Sequence, residues 1–280
     1  MIALLFLLLG ASTWLPAAQE IPVLQAADSL KFAVIGDNGT GDRPQYDVGA
    51  QMAAARATFP FEMVLMAGDN MYGRQEPQDF LTKFERPYAL LLGAGVPFYA
   101  TLGNHDKQSN ASYKGFNMNG QRYYTLVRQH VRFYVFDTNL MDSQQLEWIE
   151  RTLAEPHDGW KICLFHHPLY SDAGRHGSNV ELRVALEPLL VRYGVSVAFT
   201  GHDHVYERVK PQKGITHFVI GNSGMLRKGD LEPSSTLAAG FDQDQAFMLV
   251  EIAGNVMRFQ TISRTGRVVD SGVVGRRPQT

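Results

Sequence analysis

Five times along this chain a short apolar run stops at a glycine or a histidine followed by side chains that bind metals or move protons. Residues 31–35 end in Gly36-Asp37, and residues 62–67 end in Gly68-Asp69-Asn70-Met71-Tyr72. Residues 96–102 end in Gly103-Asn104-His105-Asp106, residues 160–165 in His166-His167-Pro168, and residues 195–200 in Gly201-His202-Asp203-His204. Runs of this length read as buried strands. Helical patterns fill 46–58 and 78–92 between the first three, and Leu182, Leu186, Leu189, Leu190 and Tyr193 keep helical spacing before the last. Pro188 predicts a kink or a restart there. Strand and helix in alternation are the pattern of crossover βαβ units, whose polar site forms beyond the carboxyl ends of the strands. Glycine lets the backbone turn sharply at those ends.

The intervening and later stretches fill out an α/β chain. Residues 107–122 are polar, asparagine-rich and aperiodic, which predicts a loop; it holds the glycosylation sequon Asn110-Ala111-Ser112. Residues 123–127 and 131–137 read as paired strands. Asp142 or Ser143 can cap a helix with Leu146, Ile149 and Leu153 on its apolar face. Four more short strands are expected at 216–220, 246–252, 256–262 and 268–274. That count exceeds one modest sheet. Two packed mixed sheets flanked by helices, a four-layer αββα sandwich, accommodate it.

The chain has 280 residues, of which 45% are hydrophobic, enough for one large core. A net charge of −2 with both signs interspersed argues against a nucleic-acid-binding surface. Residues 1–18 carry no charged side chain and have an apolar centre at 2–9, then Ala17 and Ala18. They read as a signal peptide ahead of a single domain at 19–280, which predicts an exported, secreted or periplasmic protein without stable membrane insertion. The lone cysteine, Cys163, lies in an apolar run and reads as a buried thiol.

Each polar residue at the strand ends has a plainer reading alone: Asp37 or Asn104 in a turn, Tyr72 in packing, His166 or His167 as a satisfied histidine. Their joint recurrence points elsewhere. His202 and His204, two apart in extended backbone, project to one face. Several hard oxygens with several imidazoles exceed the needs of one tetrahedral zinc and suit two adjacent ions of borderline hardness. Two metals ~3.5–4 Å apart serve in-line phosphoryl displacement and lower the pKa of water to make hydroxide near neutrality. His105, His167 or His176 can then bind phosphate or protonate the leaving alkoxide.

This order of motifs resembles the calcineurin-like metallophosphoesterases. Within them it is similar to the purple acid phosphatases, because Tyr72 follows the second aspartate by three residues and Gly201-His202-Asp203-His204-Val205-Tyr206-Glu207-Arg208 continues the match. The likeness runs from Phe32 to about Ile262. It implies an acid phosphatase acting on phosphomonoesters with Fe(III) and a divalent ion, Fe, Zn or Mn. By this resemblance Asp37, Asp69, Tyr72 and His204 hold the ferric ion, and Asp69, Asn104, His166 and His202 hold the divalent ion, with Asp69 bridging. The family's His-x-Pro makes His166 the ligand and leaves His167 at x. His105, His176 and His202 are the candidate catalytic residues, and Asp106 is expected behind them, orienting His105. Asp203 is expected to face away. No large β domain precedes the first strand and no cysteine pair is present, so the short single-domain form is implied. Small phosphate esters are the expected partners, and oligomeric state stays open. Two other readings keep the ligand set: a phosphodiesterase or nucleotidase, and an exported metal-binding protein without turnover.

Overall fold

In the computed structural model, residue 26 and residues 28–278 are described. The signal-peptide reading of residues 1–18 lies outside them. In chain order the elements are β1 (Leu30–Ile35), α1 (Arg43–Arg56), β2 (Met63–Met66), α2 (Pro77–Phe80), α3 (Ala89–Gly93) and β3 (Phe98–Ala100). Next come β4 (Tyr124–Arg128), β5 (Val131–Val135), α4 (Ser143–Ala154), β6 (Trp160–Leu164), α5 (Val180–Arg192) and β7 (Val197–Thr200). The chain closes with β8 (Tyr206–Gln212), β9 (Ile215–Ile220), β10 (Leu237–Phe241), β11 (Ala246–Ala253), β12 (Val256–Ser263) and β13 (Val268–Gly275).

The strands form two mixed sheets, ordered β13-β12-β11-β1-β2-β3 and β10-β8-β9-β7-β6-β5-β4. β1, β2 and β3 run parallel, as do β5, β6, β7 and β9, so the ends that carry the polar motifs share an edge in each sheet. β1, β2, β6 and β7 are buried on both faces, which explains why they read as unbroken apolar runs. Between the sheets Phe32 meets Phe133 edge-on at 5.4 Å, and Phe218 meets Phe259 at 5.0 Å. α1 and α3 cover the first sheet through Val48, Met52 and Leu91. α4 and α5 cover the second through Ile149, Leu153, Leu182, Leu186 and Leu190, with Cys163 buried beneath them. The two-sheet sandwich flanked by helices is therefore present.

Local differences have local causes. The single helix expected over 78–92 is broken into α2, a π turn over Leu81–Glu85, and α3. Pro87 lacks the N–H that would continue the ladder, and the preceding Arg86 N–H reaches back five residues to the Leu81 carbonyl. At Pro188 the opposite holds: α5 runs through it without restarting. Pro188 sits on the exposed face, where the carbonyl of Val184 that it leaves unpaired can be hydrated. The loop expected at 107–122 contains two 3₁₀ turns, Gln108–Ser112 and Lys114–Phe116, and it buries Phe116 against Phe84 at 5.1 Å. Asn110 is buried there and donates to Gln75 Oε1 at 2.8 Å, so the sequon offers no free acceptor amide.

One buried group in the second sheet makes stability depend on pH. His217 of β9 is fully buried beside Tyr170, ring centroids 5.0 Å apart. Burial pushes its pKa down to about 4, Glu187 opposing and Arg183 adding. The unfolded ring takes its proton near pH ~6.5, so between that pH and 4 the unfolded chain holds a proton that the folded chain lacks. Stability from this group is full above that window and falls by roughly 3 kcal/mol as pH drops through it. His217→Leu is expected to flatten the decline. Urea midpoints of both proteins from pH 7 to 4.5, at equal metal loading, check this; parallel curves would refute it.

Candidate metal centre

The five strand ends converge. β1, β2 and β3 of one sheet deliver Asp37, Asp69 and Asn104; β6 and β7 of the other deliver His166, His202 and His204. The ends are stitched by backbone bonds: Asp37 N–H to the Gly68 carbonyl at 2.9 Å, and Gly201 N–H to the His166 carbonyl at 2.9 Å. His202 N–H donates across the sheets to Asp37 Oδ2 at 2.8 Å. Asp37, Asp69 and His202 all have left-handed backbone, with φ of 51°, 50° and 72°. Glycines allow the close approach. A Cβ on Gly103 would fall on the Asp69 carboxylate, and one on Gly201 on the Asp37 carboxylate.

The donor atoms gather around two neighbouring foci. At the first, the Tyr72 hydroxyl donates to Asp37 Oδ1 at 3.0 Å and lies 3.1 Å from His204 Nε2, itself 3.5 Å from Asp37 Oδ1. At the second, Asn104 Oδ1 is approached by His166 Nε2 at 3.1 Å and His202 Nδ1 at 2.9 Å. Asp69 stands between them: its Oδ1 is 3.5 Å from His166 Nε2, and ligand atoms of Asp37, Asp69 and His166 lie within 4.8 Å of one another. His166 Nδ1 is turned to the Ala67 carbonyl at 2.8 Å, which fixes the ring and aims Nε2 inward.

Charge fits cations at both foci. Asp37 is buried, and burial together with Asp69 pushes its carboxyl well up, against the pull of His166. Asp69 is also buried, yet the His166 charge and hydrogen bonds from His166 and the His105 backbone hold it well below the usual range. Burial would lower His166, but Asp69 and Asp37 carry it up to about 9. The buried Asp69 carboxylate, with Asp37 beside it, thus recruits positive charge from a protonated imidazole, the place a cation would take. Burial, then the His166 charge, pushes His202 down to about 2 and His167 to about 3. Burial and then Arg227 push His204 down to about 4. Neutral imidazoles are what ligation requires. Burial and the neighbouring Asp37 and Asp69 charges push the Tyr72 phenol far up, so a bare pocket keeps it protonated.

The remaining predicted residues form the rim. His105 lies against Tyr72, ring centroids 4.7 Å apart, with Nε2 4.0 Å from Asp69 Oδ2. His176 packs on His202 at 4.5 Å. His167 is nearer the centre than its x position implies: a ring nitrogen lies within 4.8 Å of those of His166 and His202, while Nδ1 sits 2.9 Å from Thr138 Oγ1. Asp203 is fully buried and joins neither focus. The expectation that Asp106 orients the His105 ring needs correction. Its Oδ2 accepts from Asn70 N, Asn70 Nδ2 and Gly103 N at 2.8–3.1 Å, and its Oδ1 from Asn110 Nδ2. The carboxylate ties the second and third strand ends together and has no capacity aimed at the ring.

Three contributors were given no role by the sequence reading. Gln75 Nε2 donates to the His105 carbonyl at 2.5 Å, and its Oε1 accepts from Lys107 N at 2.9 Å, fixing the His105 turn. Arg227 bonds through its backbone N–H to the His204 carbonyl at 3.0 Å, and its charge bears on His176 and His204. Glu207 accepts from the Ser171 hydroxyl and Asp172 N–H, at the start of the loop that carries His176. Arg227 lies in a stretch with no motif at all.

The family model described as calcineurin-like phosphoesterase matches residues 30–206. The chain is 28% identical to tartrate-resistant acid phosphatase type 5 of Oryctolagus cuniculus, over 79% of this chain and 80% of that protein. It is 26% identical to purple acid phosphatase 7 of Arabidopsis thaliana, over 91% of this chain and 89% of that one. Among solved structures, the purple acid phosphatase PPD1 from yellow lupin seeds shares the fold with a TM-score of 0.73 at 20% identity, covering 89% of this chain and 54% of its own. GAP50, described as the anchor in the inner membrane complex of Plasmodium, shares it with a TM-score of 0.76 at 19% identity, each chain covered to 90%.

Proposed function

The chain belongs to the calcineurin-like phosphoesterase family, and we propose that it is an exported acid phosphatase hydrolysing phosphomonoesters at a dinuclear Fe(III)–M(II) centre. The observation that carries this reading is the pair of donor foci that share Asp69, one of them containing the Tyr72 phenol. Asp37, Tyr72 and His204 would hold the ferric ion, and Asn104, His166 and His202 the divalent Fe, Zn or Mn, with Asp69 common to both. A phenolate is a hard donor that favours the ferric state. Bound ions would supply positive charge for the phosphoryl oxygens and a hydroxide nucleophile near neutrality. His105, half-exposed beside Tyr72, and His176, over His202, bind the phosphoryl oxygens and pass a proton to the leaving oxygen. The purple and tartrate-resistant acid phosphatases similar to this chain support the substrate class.

Visible absorption of the iron-loaded protein is expected to vanish in Tyr72→Phe, since the tyrosine-to-iron charge transfer is lost while folding stays intact. Elemental analysis and a spectrum, read beside rates on p-nitrophenyl phosphate and its bis ester, test the reading. A colourless, fully active two-zinc protein would overturn the iron assignment. Faster diester turnover would favour a phosphodiesterase or nucleotidase, and a metal-replete protein inert on a broad phosphate panel would favour binding without turnover.

A further inference from the structure

Residues 171–178 form a loop between β6 and α5 whose tip carries Arg175 and His176, both exposed. The His176 ring makes no hydrogen bond among the described residues, so its place over His202 is set by the loop beneath it. That loop is clasped at its base from β8. Glu207 is fully buried; its Oε1 accepts from the Ser171 hydroxyl at 2.9 Å and its Oε2 from Asp172 N–H at 2.9 Å. No lysine or arginine side chain pairs with Glu207 among the described residues. Ser178 closes the loop on itself: its hydroxyl accepts from Ser171 N–H at 3.0 Å and donates to the Ser171 carbonyl at 3.1 Å. The same flank is also zipped to the segment before β10. Gly174 N–H reaches the Asp230 carbonyl at 2.7 Å, Glu232 N–H the Asp172 carbonyl at 2.9 Å, and the Thr236 hydroxyl the Asp172 carboxylate at 3.0 Å.

We propose that Glu207 is a positioning residue that acts through His176, holding the 171–178 loop so that this imidazole stays over the site. The proposal rests on the phosphatase reading for what His176 does, and on geometry alone for the clasp. A buried carboxyl with no cation beside it, its pKa pushed up to about 7 by burial, is an expensive way to fill space. Both of its acceptor oxygens are spent on the first two residues of one loop, alongside the bonds that Ser171 makes to Ser178 and Asp172 makes to the segment before β10. Removing the clasp leaves Ser171 and Asp172 without their tie to β8, held by Ser178 and the segment before β10, and a misplacement on the order of 1 Å at a reacting group costs up to about a hundredfold in rate.

Four variants of the full-length, metal-loaded protein test this: Glu207→Leu, Glu207→Gln, His176→Ala, and Glu207→Leu combined with His176→Ala. Glu207→Leu is expected to lower kcat on p-nitrophenyl phosphate about tenfold. Glu207→Gln, whose amide can accept from Asp172 N–H and donate to the Ser171 oxygen, should recover most of that loss. The double variant should match His176→Ala alone, because a residue that works through His176 has nothing left to affect. Amide hydrogen exchange in 171–178 should quicken in Glu207→Leu while the sheets stay protected. A double variant that loses the product of the two single effects overturns the proposal, as does unchanged exchange in the loop. Should Glu207→Leu not fold, Ser171→Ala enters the same cycle with the same two outcomes. If the wild-type protein hydrolyses no monoester yet loop exchange still quickens, the phosphatase reading fails and the clasp is upheld.

Discussion

Asp69→Asn is expected to lower kcat/KM on p-nitrophenyl phosphate by at least about 10³-fold, more than the 10–100-fold typical of losing an outer partner of a ligand. The substitution isolates charge from shape. Asparagine tolerates the left-handed backbone that Asp69 adopts at φ 50°. Its amide oxygen can keep the 2.8 Å bond from His105 N–H. What disappears is the negative charge between the two foci and one oxygen that could serve both. His166, carried up to about 9 largely by that carboxylate, should fall toward an ordinary histidine. Elemental analysis should find less than two metals per chain, with the circular dichroism of the fold unchanged. An Asp69→Asn protein with normal rate and metal content would remove Asp69 from the centre.

Gly201→Ala should damage the centre without touching a ligand. The added methyl group has no room: it meets the Asp37 carboxylate and the Ala67 carbonyl, with His166 Nδ1 at 3.4 Å. The Ala67 oxygen belongs to a strand end and already receives His166 Nδ1. Asp37 cannot swing away cheaply, since Oδ2 holds His202 N–H and Oδ1 holds the Tyr72 hydroxyl. Relief must come from parting the two sheets at this edge. The expected outcome is a loss of roughly 2–3 kcal/mol in unfolding free energy, the upper part of the range for overpacking, and weak binding at both foci. Denaturation midpoints of the metal-free chain separate the first effect from the second. A variant that keeps normal stability and two metals would show that this approach is looser than described.

The strand-end chemistry was readable because it is local. A glycine at a turn, then Asp, Asn or His, needs no knowledge of what lies across the gap, and Asp37, Asp69, Tyr72, Asn104, His166, His202 and His204 do meet. The buried strands were readable for the same reason, being apolar on both faces. What failed depended on distant partners. β8 carries Glu207, Arg208 and Lys210 and contains Pro211, so little in its composition marks a strand; its pairing with β9 and β10 supplies the reason. β10 is Leu-Ala-Ala-Gly-Phe and lacks β-branched residues. Asp106 follows His105 in sequence, which made it look like that ring's partner, yet half of its hydrogen bonds come from the second strand end, 36 residues earlier. Glu207 lies 36 residues beyond the loop it clasps. Separations of this size carry no sequence period.

Asp37, Asp69 and His202 sit in backbone that side chains other than glycine adopt reluctantly. Each such residue costs on the order of 1–3 kcal/mol, held in place by the surrounding fold. Selection for heat resistance alone would therefore pull these three positions toward glycine. A screen that scores only survival at high temperature would rank the disabled variants first, so any programme to harden this protein has to select for turnover in the same step.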